Sequence, residues 1–203
     1  MFHQIAQTVA TLLPLAAMAN GSPLGLDKSA DSGLGCSATS FGVFKWGISN
    51  FVFNSTVIYT TPAHQNSWGY VNFEVENPAV AAGNGRGHSE AVCSASSNRL
   101  NDFFYGDMPY NCTSAPSDRR TTTFDFNLDS RLLRLNESWV CSDVDPEYPT
   151  IFTAGGAVTL NLECNTKSWT NPNWTMGDIY SSTITTCQPV DLSLSPDQIS
   201  AVA

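Results

Sequence analysis

Residues 122–129 read Thr-Thr-Phe-Asp-Phe-Asn-Leu-Asp, and this short stretch decides the fold class. Phe124, Phe126 and Leu128 alternate with Asp125, Asn127 and Asp129. Successive side chains of a strand point to opposite faces, so an extended backbone gathers all the apolar groups on one side. A helix would scatter them around its axis. The same period of two recurs in three other stretches. Phe44, Trp46 and Ile48 stand against Val43, Lys45 and Gly47; Val71, Phe73 and Val75 against Asn72, Glu74 and Glu76; Val158, Leu160 and Leu162 against Thr159, Asn161 and Glu163. Helical spacing is confined to Ser97–Phe104, which is expected to form a turn or a single helical turn. Turn-formers separate the runs: Asn77-Pro78, the glycine-rich Gly83–Gly87 loop, Met108-Pro109, Ser114–Ser117, Asp145-Pro146 and Asn171-Pro172. The pattern predicts roughly eight to ten short strands in a single antiparallel β-barrel or sandwich. Closure would remove the open edges through which strands aggregate.

The chain has 203 residues, a length that suits one domain. With 42% hydrophobic and 11% aromatic residues it can bury a core. Asp and Glu number 18 against 9 for Lys and Arg, a formal net charge of -9. Phosphate binding needs clustered cations, so nucleic acid is excluded as a partner. Residues Ile5 to Ala17 are mostly apolar and end in Ala17-Met18-Ala19, small residues in the arrangement signal peptidase requires. Residues 1–19 are therefore expected to be a signal peptide, cleaved after Ala19. The run is shorter and more polar than the roughly 20 apolar residues of a membrane span, so no membrane attachment is expected. Residues 20–35, rich in Gly, Ser and Asp, read as a flexible leader, 36–190 as the β domain, and 191–203 as a C-terminal tail. The product is expected to be secreted and extracellular.

Six cysteines follow the cleavage site: Cys36, Cys93, Cys112, Cys141, Cys164 and Cys187. In an exported chain an even number predicts disulfides, and six allow about 15 pairings. No pair has Cys-x-x-Cys spacing and the three histidines lie far apart, so no metal site is expected. Four sequons away from the new N-terminus, at Asn54, Asn111, Asn136 and Asn173, mark expected N-glycosylation sites.

Chemistry-bearing motifs are scarce. The sequence has no Gly-x-Ser-x-Gly elbow, no His-Glu-x-x-His and no phosphate-binding glycine fingerprint, so no cofactor is expected. His88-Ser89-Glu90 places a base beside a hydroxyl, yet neighbours on a strand face opposite ways and cannot share a proton without a bulge. Glu74 and Glu76 share a strand face, and paired carboxylates are the machinery of glycosidases. Those carboxylates, however, must flank the scissile bond from opposite sides. Two solvated acids on a wet strand face explain the pair, so no catalytic residue is assigned and no enzymatic activity is expected. Trp68 and Tyr70 fall on the polar face of their strand, and Trp169 and Trp174 lie in an Asn/Thr/Pro-rich segment. Such rings either stack on a sugar or planar ligand or sit at the rim of the core with a polar end in water.

In order along the chain come Cys36, Trp46, Ile48-Ser49-Asn50-Phe51, Cys93-Ser94-Ala95, Leu100-Asn101-Asp102, Tyr110 and Cys112. Thr123-Phe124-Asp125-Phe126 and Asp129-Ser130-Arg131-Leu132-Leu133 follow. This succession resembles the Alternaria major-allergen family of fungal secreted proteins over about Cys36 to Leu135, with a fainter continuation to Cys187. The resemblance implies one β-barrel domain, often dimeric, without established enzymatic activity. Its members are associated with allergenicity, with eliciting or suppressing plant defence, and with binding small planar phenolics. Expected partners are accordingly a host plant protein or a small phenolic ligand, with a homodimer open. The resemblance also implies a Cys93–Cys112 disulfide and, more loosely, Cys164–Cys187, which leaves Cys36–Cys141. A rival arrangement joins Cys141 to Cys164 and Cys36 to Cys187. The chain departs from the pattern in a longer Asn77–His88 loop, an added cysteine in Trp139-Val140-Cys141, and an extended segment beyond Cys187. Two other functions compete with effector-like binding: a structural or adhesive cell-wall glycoprotein, and a glycan hydrolase.

Overall fold

The computed structural model describes residues 35–85 and 89–203. Residues 1–19, expected to be a signal peptide, and nearly all of the expected leader at 20–35 lie outside the described residues, as does His88.

Among the described residues, eleven strands make one antiparallel sheet. They are β1 (Trp46–Thr61), β2 (His64–Glu76), β3 (Glu90–Ser97), β4 (Tyr110–Ser114), β5 (Arg120–Asn127) and β6 (Leu132–Cys141), followed by β7 (Thr150–Thr159), β8 (Cys164–Thr170), β9 (Ser181–Cys187), β10 (Val190–Leu194) and β11 (Gln198–Val202). The ladder runs β11-β7-β6-β5-β4-β3-β2-β1-β9-β8, with β10 paired to β1. The fold is all-β and antiparallel, as the period of two dictates. The sheet is not closed: β11 and β8 end the ladder.

The alternating rows do what the sequence requires. Trp46, Phe51, Phe53, Phe73, Phe124 and Phe126 are buried on the inner face, while Val43 and Lys45 are exposed. Aromatic edges meet faces at several contacts, as in Phe73 against Phe124 at 4.8 Å between ring centroids and Phe51 against Phe126 at 5.3 Å, while Trp139 stacks on Phe152. Such contacts add about 0.5–1.5 kcal/mol each beyond area burial.

Three expectations need correction. Residues 191–203 are not a tail, since β10 pairs with β1 and β11 with β7. Gly156 explains how the C-terminal segment gets there: a Cβ on it would lie 2.8 Å from the Ser195 carbonyl, so only glycine lets that segment cross β7 so closely. Leu160 and Leu162 are buried, but they lie between β7 and β8 in a segment that has left the ladder. Finally, Asn77-Pro78 starts a helix rather than a turn. In α2 (Pro78–Asn84) the Asn77 side chain accepts from the Ala79 amide at 2.9 Å, Pro78 occupies the first turn, and Gly85 ends the helix at φ 64°. A second helix, α1 (Cys36–Phe41), packs against α2. Ser97–Phe104 ends β3 and continues as a turn.

A charged network sits inside the sheet. Arg120 and Glu137, both fully buried side chains, pair at 3.2 Å. Glu137 accepts from Trp46 Nε1 at 2.5 Å, Asn77 Nδ2 at 2.8 Å and Thr122 Oγ1 at 3.0 Å. The other end of the guanidinium donates to the Val75 carbonyl at 2.8 Å. One carboxylate thus joins β1, β5, β6 and the N-cap of α2.

Gly69 makes a second close approach. An added Cβ would lie 2.6 Å from the Phe103 ring. Gly69→Ala is therefore expected to destabilise by about 1–3 kcal/mol through overpacking. Gly47→Ala, whose Cβ would meet Glu76 at an ordinary 3.6 Å, should be close to neutral. Denaturant midpoints of the two variants check the contrast.

Candidate binding face

The outer face of β2 carries Trp68 and Tyr70, 41% and 44% exposed. Their inward neighbours Ser67, Gly69 and Val71 are buried, so strand alternation alone holds both rings outward. Phe103 pressing on Gly69 from inside fixes the backbone between them. Tyr70 pairs across the ladder with Ser96 on β3 and Asn54 on β1, and Trp68 with Thr56. Trp68, Tyr70, Ser96, Ser97 and Asn98 line a shallow cleft of about 310 Å³. The aromatic walls can stack on a flat ring, and the cleft offers the Ser96 hydroxyl and the Asn98 carboxamide for polar substituents.

The rim of the cleft is pinned. Ser67 Oγ donates to the Asn98 carbonyl at 3.2 Å and Ser97 Oγ to the Phe103 carbonyl at 2.6 Å. Arg99 clamps Asp107 with two hydrogen bonds, at 2.8 and 3.0 Å, and its guanidinium lies 4.5 Å over the Tyr105 ring. The Arg99 hydrogen bond holds the Asp107 carboxyl below the usual carboxylate range. The sequence points to the two rings but not to this rim. An Arg and an Asp eight residues apart in a turn follow no strand or helix period.

The aromatic face continues across β1 to β9 and β8, where Ile184 opposes Thr56 and Lys167, and Trp169 opposes Ser182. Trp169 and Ile184 are exposed. Trp174 is not part of this face. Its indole nitrogen donates to the carbonyls of Thr60 and Asp178, and its ring meets Tyr180 edge-on.

The remaining candidates are dispersed. Glu74 accepts from Ser49 Oγ at 3.3 Å, and Glu74 and Glu76 stand side by side on one sheet surface, so they do not flank a bond from two sides. Ser89 is buried and donates to Asp118 at 2.7 Å, which ties β3 to the 3-10 turn Pro116–Asp118. Asn111, Asn136 and Asn173 are exposed, and Asn54 is half-buried on the outer face of β1. Disulfides join Cys36 to Cys141, Cys93 to Cys112 and Cys164 to Cys187. Cys36, Cys141 and Asp143 form a cluster of metal-ligand types among the described residues, but both sulfurs are spent in a disulfide.

One antiparallel sheet, three disulfides and an exposed aromatic face define a small disulfide-stapled all-β domain of the kind that oxidising compartments hold. A family model described as Alternaria alternata allergen 1 matches residues 48–187, and the chain belongs to that family. Neither a curated protein nor a solved structure matches it.

Proposed function

We propose that this allergen-family protein is exported and acts by contact, without catalysis, taking a small planar phenolic or a flat patch of a host protein on the face around Trp68 and Tyr70. One observation carries the reading: two adjacent aromatic rings are held out into solvent beside a cleft edged by Ser96, Ser97 and Asn98. Stacking on the rings would supply affinity, and the Ser96 hydroxyl and the Asn98 amide would read phenolic groups at the edge. The three disulfides support export, because such bonds persist in oxidising compartments.

Titration with a flavonol, followed by tryptophan fluorescence, tests this. Saturable quenching is expected for the native protein. Trp68→Ala should weaken binding by about tenfold or more, the equivalent of about 1.4 kcal/mol. Trp174→Phe, a change at a ring already engaged with Thr60 and Asp178, should leave affinity unchanged. Equal affinity in the Trp68→Ala protein would place the ligand elsewhere.

A further inference from the structure

The sequon Asn54-Ser55-Thr56 lies in the middle of the aromatic face rather than on a loop. Asn54 stands directly across from Tyr70 on β2 and Thr186 on β9, and Thr56 directly across from Trp68. Opposed residues in an antiparallel pair hold their Cβ atoms about 4.5–5.5 Å apart, and diagonal neighbours about 7–8 Å. A sugar leaving the Asn54 carboxamide therefore emerges beside the β2 strand that carries both exposed rings, with Tyr70 directly opposite and Trp68 diagonal to it. The other three acceptors among the described residues lack this setting. Asn111 opposes Thr123, and Asn136 lies between Thr123 and Gly155. Asn173 adjoins Trp174, whose indole N–H already serves two carbonyls.

We propose that Asn54 carries an N-glycan whose first sugar lies on the Tyr70 and Trp68 rings, so that the glycan is the native cover of this face and occupancy at Asn54 controls access to it. The inference rests on the export and ligand-binding readings above. On glycosylation the Asn54 nitrogen attacks C1 of the sugar of a polyprenyl-diphosphate oligosaccharide. One C–N bond forms, the C–O bond to the diphosphate breaks, the nitrogen loses a proton, and the polyprenyl diphosphate leaves. The axial C–H bonds of an N-acetylglucosamine then face the ring, a contact that favours the negative face of the π system.

The test uses the full protein from an N-glycosylating host. Glycopeptide mapping should find Asn54 occupied. In NMR spectra the acetyl methyl of its first sugar should be shifted upfield by the rings, and Tyr70→Ala should abolish that shift. Flavonol affinity should rise about tenfold in Asn54→Gln, and equally after enzymatic removal of glycans from the folded native protein, an arm that does not depend on the variant folding. An unoccupied Asn54, or an occupied one whose acetyl methyl is unshifted, overturns the proposal. A shifted methyl with no flavonol binding in any form supports the seat and sinks the ligand reading instead. A shifted methyl with binding unchanged by glycan removal overturns the control of access.

Discussion

Glu137→Ala is expected to lower stability by about 3–5 kcal/mol, the range for breaking a buried ion pair from one side. In a domain of this size that shifts the melting temperature by about 6–20 °C. The loss comes less from the attraction removed than from what is left behind. Arg120 stays charged with a fully buried side chain, while Trp46 Nε1, Asn77 Nδ2 and Thr122 Oγ1 lose their acceptor together. Arg120 Nε has no hydrogen-bond partner of its own, so the ion pair to Glu137 is what compensates it. Thr122→Val removes a single donor to Glu137 and should cost only about 0.5–1.5 kcal/mol. Thermal melts of the two variants separate a network hub from a peripheral contact: equal losses would contradict the assignment of Glu137 as the hub.

The second large effect belongs to the Cys36–Cys141 disulfide. It closes a loop with a sequence separation of 105, against 19 for Cys93–Cys112 and 23 for Cys164–Cys187. In the chain-entropy model a loop of about 100 residues contributes about 4.7 kcal/mol and one of about 15 residues about 3 kcal/mol. Replacing both Cys36 and Cys141 by serine is therefore expected to cost more than the same change at either other bridge. The bridge also fastens α1 to β6. Asp143, just beyond it, accepts from the Ser37 hydroxyl at 2.6 Å and from the Ser37 amide. Partial burial pushes the Asp143 carboxyl up, but these hydrogen bonds outweigh it and hold the group below the usual carboxylate range. Urea midpoints of the three double-serine variants rank the bridges, and a smaller loss at Cys36/Cys141 than at Cys93/Cys112 would refute the loop-length account.

The inner face was legible because period-two alternation is a local signal. Phe44, Trp46 and Ile48, and likewise Val71, Phe73 and Val75, are buried as the pattern requires. Helix α2 was missed although its signals are local too. Asn77 as N-cap, Pro78 in the first turn and Gly85 beyond the end follow the usual start and stop rules, but in a chain full of turns the same Asn-Pro and glycines read as loop punctuation. The C-terminal strands were missed for a different reason. Both alternate, Val190, Leu192 and Leu194 against Asp191 and Ser193 in β10 and Ile199 and Ala201 against Gln198 and Ser200 in β11, but each is only five residues long, β11 is exposed throughout, and their places are set by β1, by β7 and by the absent side chain of Gly156. Glu137 was hidden inside a sequon, where a charged residue between Asn136 and Ser138 reads as surface. Its burial depends on Arg120, Trp46 and Asn77, which only the sheet brings together. At the binding face the rings were legible from Trp68 and Tyr70 lying on a polar strand face. The cleft beside them required Asn98 and the Arg99–Asp107 clamp, contacts made by a turn that no period describes.

The central claim, that the protein binds at this face and releases its ligand unchanged, is tested most directly by native mass spectrometry. The glycan-free native protein and a Trp68→Ala/Tyr70→Ala variant are each incubated with a flavonol, and the ligand is then released and weighed. The account predicts a one-to-one adduct for the native protein only, with the flavonol recovered at its original mass. An equal adduct on the variant, or recovery of a ligand of altered mass, would contradict it.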